Sequence, residues 1–156
     1  MTALKILSVL VENKPGMLFR VAHMIRLMRL NIEGLTCGVA NGGDKSRLTM
    51  TVNGDDATLD FVARQLSKVI DVFEAKTYTR DQVVARELAI LKLNIPKNRI
   101  SKARLRGSHT LESSKRYTTL EIVGTPLEVD SFLERFEESE ILDFSRTGTT
   151  AIPKER

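Results

Sequence analysis

The stretch Leu4–Met17, LKILSVLVENKPGM, decides the fold of the N-terminal half of this 156-residue chain. Apolar residues fill Leu4–Val11 at the length of a strand, and Asn13–Gly16 follows with the residue types of a turn. From Met17 onward the apolar residues recur at helical spacing instead. The stretch therefore predicts a strand, a tight loop and an amphipathic helix, in that order.

The remainder of the first half completes a βαββαβ pattern. Two strand-like runs, Ile32–Val39 and Leu48–Val52, flank a hairpin sequence at Asn41–Asp44. A capping sequence at Gly54–Asp56 opens a second amphipathic helix, and an apolar run at Val69–Phe73 predicts the closing strand. This order is typical of a ferredoxin-like α+β unit.

The second half repeats the pattern, so the fold class predicted is α+β with two ferredoxin-like βαββαβ units, residues 1–79 and 80–156, and a boundary near Thr79–Val84. The elements predicted there are strands at Leu88–Ile95, His109–Glu112, Tyr117–Val123 and Ile141–Phe144, a short helix at Lys97–Leu105, and a helix after the capping box Thr125–Glu128. Each sheet would leave one face uncovered, and a unit of this size has a small core of its own. A homodimer that buries this face is therefore expected.

Composition is that of an ordinary globular protein, with 42% hydrophobic and 28% charged residues. The single cysteine, Cys37, excludes an internal disulfide framework, and one Cys with two His cannot form a metal cluster. The best apolar run, Ile6–Val11, is far shorter than the ~20 residues that a membrane helix needs. The first residues lack the pattern of a signal peptide. We therefore expect a cytoplasmic protein without a membrane partner or a bound metal.

Residue patterns typical of catalysis are scarce. His23 falls within the first predicted helix and His109 begins a predicted strand, and neither is paired with an evident nucleophile. The sequence contains no G-x-G-x-x-G motif and no P-loop. Gly54–Asp56 superficially resembles a metal-diphosphate motif, but its place before an amphipathic helix favours capping. No catalytic residue is therefore predicted.

The net charge of +4 is unevenly distributed, because Arg80–Arg116 holds ten Lys or Arg against three acidic residues. A basic RNA-binding module is thus an alternative, since the βαββαβ order also occurs in RNA-recognition domains. Those domains stack bases on aromatic residues of their central strands. The corresponding runs here, Ile6–Val11 and Leu48–Val52, contain no aromatic residue. No nucleic-acid partner is therefore expected.

The loop before the first helix is the candidate binding site. A helix N-terminus carries unpaired N–H groups and a partial positive charge, and a glycine there lets a ligand approach the backbone. The amides of Gly16, Met17 and Leu18 would therefore suit a carboxylate. Asn13 and Asn31 bracket the helix and could accept hydrogen bonds from an ammonium group. On physics alone, a simple turn and helix cap explain Asn13 and Gly16 equally well.

Seven stretches, spread over nearly the whole chain, form a combined pattern that is specific: Leu7–Gly16, Arg20-Val21, Asn31–Glu33, Ser46–Thr49, Gln65–Val72, Arg86–Ala89 and Ile141–Gly148. Together they resemble the small subunit of acetolactate (acetohydroxyacid) synthase. The resemblance implies that the N-terminal unit is an ACT domain, which dimerises and binds amino acids at the dimer interface.

The resemblance also implies a regulatory, non-catalytic subunit in branched-chain amino-acid biosynthesis. Such a subunit associates with a large catalytic subunit, which uses thiamine diphosphate, magnesium and FAD to condense pyruvate with a second 2-keto acid. It raises the activity of that subunit and confers feedback inhibition by valine or a related amino acid, and no cofactor is implied on this chain. By position, the implied effector-binding residues are Asn13, Gly16 and Asn31, with Met17, Leu18 and Gly38 lining the pocket. A stand-alone ACT-type amino-acid sensor is the alternative.

Three features depart from the family pattern, and one is the hairpin Ala40–Lys45, which carries Gly-Gly in place of the usual Pro- and Asp-containing stretch. Arg29-Leu30 stands where the family commonly has Gly and an aromatic residue, so a differently shaped helix end is expected. The second half is shorter and more basic around Pro96–Gly107, where relatives carry a longer amphipathic helix.

Overall fold

The computed structural model of the chain describes residues 4–154, apart from the side chains of Leu4 and Asn41. Two compact units are present: one extends up to Ala85 and includes the segment from Gly148 onward, and the other is Arg86–Thr147. The unit boundaries predicted from the sequence differ from these in two respects. The prediction ends the first unit at residue 79, and it places residues 148–156 in the second unit.

The first unit has the ferredoxin-like architecture expected from the sequence. Its elements are β1 (Leu4–Glu12), α1 (Met17–Leu27), β2 (Ile32–Ala40), β3 (Lys45–Asn53), α2 (Asp56–Leu66) and β4 (Val72–Tyr78). The sheet is antiparallel with the strand order β2-β3-β1-β4. The βαββαβ prediction is thereby confirmed for this unit.

The core of the first unit follows from the spacing of apolar residues, which is every second residue in a strand and every three or four residues in a helix. Leu7, Val9 and Val11 of β1 lie on the same face of the sheet, since successive side chains of a strand point to opposite faces, and all three are buried. They pack in one cluster with buried residues of both helices, among them Val21 of α1 and Val62 of α2. Both helices therefore cover the same face of the sheet.

The strand β4 begins three residues later than the predicted Val69–Phe73. Val69 and Asp71 lie in the turn after α2, where the Val69 amide donates to Leu66 O and the Asp71 backbone has a left-handed φ of 73°. Ile70 is 78% exposed. The chain must reverse direction after α2, so these residues form a turn despite their strand-like composition.

The second unit repeats the strand order. Its elements are β5 (Val83–Leu93), β6 (Ser108–Ser113), β7 (Thr118–Gly124), α3 (Pro126–Leu133) and β8 (Ile141–Arg146). The sheet order is β6-β7-β5-β8 and all pairs are antiparallel. Val129 and Phe132 of α3 are fully buried in a cluster with Leu91 of β5 and Leu120 of β7.

The predicted helix at Lys97–Leu105 is wrong. A single 3-10 turn at Lys97–Arg99 is followed by further turns up to Gly107. The segment has no continuous apolar stripe, and only Ile100 is fully buried, with Leu105 packed at the edge of the core. A helix without an apolar face gains little from packing.

The ends of the second half also differ from the prediction. Strand β5 begins at Val83, within the predicted boundary segment. A further strand that was not predicted, β9 (Thr150–Pro153), pairs with β5. Ala151 of β9 is buried with Ile6 and Val83, and this contact explains why the last described residues belong to the first unit.

Candidate functional site

The loop Asn13–Gly16 joins β1 to α1 and presents an open helix N-terminus. Gly16 is the N-cap residue and has a φ of 87°, a left-handed conformation that residues with a Cβ adopt only at a cost. The first bond of the helix runs from Arg20 N to Gly16 O, at 3.0 Å. A Cβ built on Gly16 would have no described atom within 4 Å. The backbone of this turn is therefore accessible to a ligand.

The N-terminus of α1 differs from those of the other two α-helices in the described part of the chain. Asp55 caps α2 by accepting from Thr58 N at 2.8 Å, and Thr125 caps α3 in a capping box with Glu128. No side chain caps α1, and its first turn contains no acidic residue. The positive end of the α1 dipole is therefore left for another anion.

Asn13 fastens the loop to the hairpin between β2 and β3. Its Oδ1 accepts from Ser46 Oγ at 3.0 Å, and its Nδ2 donates to Gly43 O at 2.9 Å. Its backbone amide donates to Asp44 O at 2.8 Å. The amide side chain of Asn13 thus holds the loop in place, and its predicted contact with an effector stays a prediction.

Lys14 fastens the same loop to the turn after α2. Its Nζ lies 2.6 Å from Asp71 Oδ2 and 2.8 Å from Glu12 Oε2, and Arg20 Nη1 lies 3.1 Å from the same Asp71 oxygen. The hydrogen bond from Lys14 lowers the pKa of Asp71, and the hydrogen bond to Asp71 raises the pKa of Lys14. Both groups are therefore charged at neutral pH.

The two residues that follow Gly16 face different ways. Met17 is only 2% exposed and packs in the core of the first unit, so its side chain does not line an open site. Its backbone amide lies 3.5 Å from Lys14 O, a long contact. Leu18 is 44% exposed. From Met17 only the backbone is available to a ligand, whereas Leu18 can also offer its side chain.

Asn31 lies away from the loop within one protomer. Asn31 follows the C-terminal end of α1, and an 11-residue helix is about 16 Å long. Its side chain donates to Glu33 at 2.9 Å and lines a cavity of about 480 Å³ at this end of the helix. Gly38 lies on β2, an edge strand, where a Cβ would meet no described atom within 4 Å. A single protomer therefore does not bring Asn13 and Asn31 together.

The end of α1 keeps the backbone conformation that glycine favours. Arg29 has a φ of 57°, and its amide donates to Arg26 O at 2.9 Å. A left-handed residue just after a helix is the usual way of ending it. Arg29 therefore adopts, just after α1, the backbone conformation that glycine favours at a helix end.

The residues that sequence reasoning missed are those that hold the loop, Ser46 and Asp71. Ser46 pairs with Val11 in the register of β1 and β3, which brings its hydroxyl to the start of the loop. A correct prediction of how β1 pairs with β3 would have indicated Ser46. No local signal in the sequence marks Asp71, because its position depends on how β4 pairs with β1.

Other classes of site receive no support from the residues described. No helix among residues 4–154 is both long and apolar enough to cross a membrane. Within the same range, no group of three or more His, Cys, Asp or Glu side chains could hold a metal ion. The central strands β1 and β3 carry no aromatic residue on which an RNA base could stack.

Comparison with known proteins gives the family. The family model described as an AHAS small subunit-like ACT domain matches residues 7–74, and the model of the small subunit of acetolactate synthase matches residues 86–155. A probable acetolactate synthase small subunit from Archaeoglobus fulgidus is 32% identical over 150 residues, covering 94% of each chain. The chain belongs to the acetolactate synthase small subunit family. The first unit is its ACT domain.

Further relatives agree with this membership. The acetolactate synthase small subunit of Mycolicibacterium smegmatis is 31% identical over 152 residues, covering 95% of this chain and 89% of the relative. The crystal structure of the acetolactate synthase small subunit from Thermotoga maritima matches with a TM-score of 0.87 at 25% identity, covering 98% of both chains. Small subunits of this family are regulatory, and catalysis lies on the large subunit.

Proposed function

We propose that this small subunit binds the large catalytic subunit of acetolactate synthase, raises its activity and makes it sensitive to valine or a related branched-chain amino acid. The observation that carries the proposal is the open N-terminus of α1 behind Gly16, held by Asn13 and Lys14, in a chain of this family. Thiamine diphosphate, magnesium and FAD would be bound by the large subunit, and this chain would hold none of them.

The effector carboxylate would be received by the backbone amides at the start of α1. Gly16 leaves space for it, and the uncapped helix end favours an anion by about 0.3–1 kcal/mol when exposed and up to ~2 kcal/mol when partly buried. The exposed side chain of Leu18 offers apolar contact to a branched side chain. Together these features suit a small apolar amino acid.

The second wall of the site would come from another copy of the chain. Strand β2 is the last strand on its side of the sheet, so its outer edge is free to pair within a dimer. If two copies of β2 pair antiparallel, the start of one strand lies beside the end of the other. Asn31 precedes β2 and Gly38 lies near its end, so Asn31 of the partner subunit would approach the Asn13–Gly16 loop.

Calorimetry with valine, isoleucine and leucine tests the site. We expect Gly16→Asp and Asn31→Ala to weaken binding at least about tenfold, because the first adds a strained side chain with a repelling charge and the second removes a polar contact. Asn53→Ala changes an exposed asparagine at the end of β3 and serves as the matched control. Equal affinity in all four proteins would refute this assignment of the site.

Co-purification with the large subunit of the same host tests the wider proposal. We expect the pair to form a complex and the activity of the large subunit to rise on addition of this chain. A branched-chain amino acid should then lower the activity, and Gly16→Asp should remove this inhibition while the activation persists. If the activity of the large subunit is unchanged by this chain, the regulatory role is wrong.

A further inference from the structure

Two loops at one end of the second unit line an open cavity. Leu93 at the end of β5 pairs with Thr118 at the start of β7, so the segments that follow β5 and precede β7 lie at the same end of the sheet. Asn94, residues 96–99 and residues 113–116 line this cavity, which has a volume of about 790 Å³. We refer to it as the basic cavity. Its volume is in the range of small-molecule sites.

Four cationic side chains line the basic cavity: Lys97, Arg99, Lys115 and Arg116. No acidic residue lines it, and none of the four forms an ion pair with a carboxylate in the described part of the chain. Other arginines of this unit are paired, since Arg104 contacts Glu140 and Arg146 contacts Glu87. The positive charge of the basic cavity is thus not compensated by its surroundings.

Hydrogen bonds fix the two loops. Thr118 Oγ1 donates to Ile95 O at 2.8 Å and ties the start of β7 to the first loop. Ser114 Oγ accepts from the backbone amides of Arg116 and Tyr117, each at 3.1 Å, and shapes the second loop into a turn. The cations are therefore carried on backbone that is already ordered, which lowers the entropy cost of binding.

Glu112, which directly precedes Ser113 in the chain, is engaged elsewhere. Its Oε1 accepts from the Tyr117 hydroxyl at 2.6 Å, and Lys92 Nζ lies 4.3 Å from the centre of the Tyr117 ring. The hydrogen bond with Glu112 raises the pKa of Tyr117. Glu112 is not among the residues that line the basic cavity.

We propose that the basic cavity binds a small molecule with two or more linked phosphate groups. Arginine and lysine with nearby serine and asparagine donors form the set of side chains that recognises phosphate oxygens. Four cations on two loops exceed what one phosphate can neutralise, so a chain of phosphates fits better. This proposal does not depend on the amino-acid site, which lies in the other unit.

Two macromolecular ligands fit the basic cavity less well. A protein partner needs an apolar centre to its contact surface, whereas Pro96 is the one apolar residue that lines the basic cavity among those described. Single-stranded RNA is bound with the help of aromatic stacking platforms. Tyr117, the nearest tyrosine, does not line the basic cavity, and Lys92 lies over its ring.

The test is calorimetry on the full chain with tripolyphosphate, pyrophosphate and orthophosphate in buffer without divalent metal. The variant K97A/R116A removes one cation from each loop, and all the changed side chains are exposed, so folding should be retained. The control K102A/R106A removes the same charge from exposed positions of the same unit outside the basic cavity. We expect one tripolyphosphate per chain, with affinity reduced at least about tenfold in K97A/R116A and within about twofold in the control.

Amide chemical shifts provide a second measurement. Bound tripolyphosphate should shift the amide resonances of residues 92–99 and 113–118 and leave those of residues 13–18 unchanged. The proposal is overturned if wild type does not bind tripolyphosphate, if both double variants lose affinity equally, or if orthophosphate binds as tightly as tripolyphosphate. It is also overturned if a polyglutamate peptide or an RNA oligomer displaces pyrophosphate at a lower concentration than tripolyphosphate does. Failure of the amino-acid site would alter none of these measurements.

Discussion

Lys14 Nζ and Asp71 Oδ2 lie 2.6 Å apart and connect the loop before α1 to the turn after α2. Asp71 also receives Arg20 Nη1 at 3.1 Å, and its carbonyl accepts from the Glu12 amide at 2.9 Å. One aspartate thus contacts the end of β1, the loop at Lys14 and the first turn of α1. The position of the candidate effector site depends on this contact.

The first prediction concerns the pH range in which this contact acts. The pKa of Asp71 is lowered from 3.8, chiefly by the hydrogen bond from Lys14. The carboxylate therefore contributes fully to the stability of the fold above pH 3.8, and this contribution is lost as the pH falls through the lower pKa of the folded state. The pKa of Lys14 is raised from 10.5, chiefly by the hydrogen bond to Asp71. The ammonium group therefore contributes fully to the stability of the fold below pH 10.5, and this contribution is lost as the pH rises through the higher pKa of the folded state.

We therefore expect Asp71→Asn to lower the melting temperature by the same amount throughout the neutral range. The difference from wild type should shrink in acid below pH 3.8, where the native carboxylate becomes protonated. Asparagine tolerates the left-handed backbone at this position, so the variant mainly removes charge. Asp44→Asn, at an exposed aspartate without an ion pair to a described cation, is the control. A difference that persists unchanged in acid would contradict the prediction.

The second prediction separates the hydrogen bonds of Asn13. Asn13→Ala removes the bonds to Ser46 and Gly43 and should lower the free energy of unfolding by about 1–2 kcal/mol. Ser46→Ala removes only the first bond and should cost less, about 0.5–1.5 kcal/mol. Urea denaturation measures both values. If the loop must be held to bind its effector, both variants also bind valine more weakly; an unaltered free energy of unfolding in Asn13→Ala would show that these bonds do not stabilise the fold.

The third prediction concerns Arg29, which has a φ of 57°. Arg29→Gly should raise the free energy of unfolding by about 0.5–1 kcal/mol, because the left-handed cost of ~1–2 kcal/mol is partly offset by the greater freedom of glycine in the unfolded chain. Arg26→Gly, inside α1, should instead lower it by about 1 kcal/mol. Denaturation of both variants beside wild type checks the opposite signs, and a loss of stability in Arg29→Gly would contradict the prediction.

The fourth prediction uses two glycines of the first unit. A Cβ on Gly148 would lie 2.5 Å from the backbone carbonyl carbon and oxygen of Leu35, so Gly148→Ala should destabilise the fold by about 1–3 kcal/mol. A Cβ on Gly38 would meet no described atom within 4 Å, so Gly38→Ala should leave stability unchanged or slightly higher. Thermal unfolding compares them directly. Equal melting temperatures would mean that the backbone at Gly148 moves away at little cost.

Local signals were sufficient for most of the elements. The capping residues Asp55 and Thr125 mark the starts of α2 and α3 correctly, because a cap is a bond between residues three positions apart. The hairpin at Asn41–Asp44 was also predicted correctly, because its turn is formed by residues that are adjacent in the chain. Predictions failed where composition and tertiary requirements disagree, as at Val69–Asp71, where strand-like residues form a turn, and at Lys97–Leu105, where a helix would have had no apolar face.

The sequence by itself determined the order of helices and strands in the first unit and the glycine at the start of α1, since both depend on residues close in the chain. Only the tertiary structure decided what holds the loop, because Ser46 lies 33 positions from Asn13 and Asp71 lies 51 positions from Arg20. The tertiary structure also places the Met17 side chain in the core, and it separates Asn13 from Asn31 by the length of α1. Such contacts follow from strand register and helix packing, which no local pattern encodes.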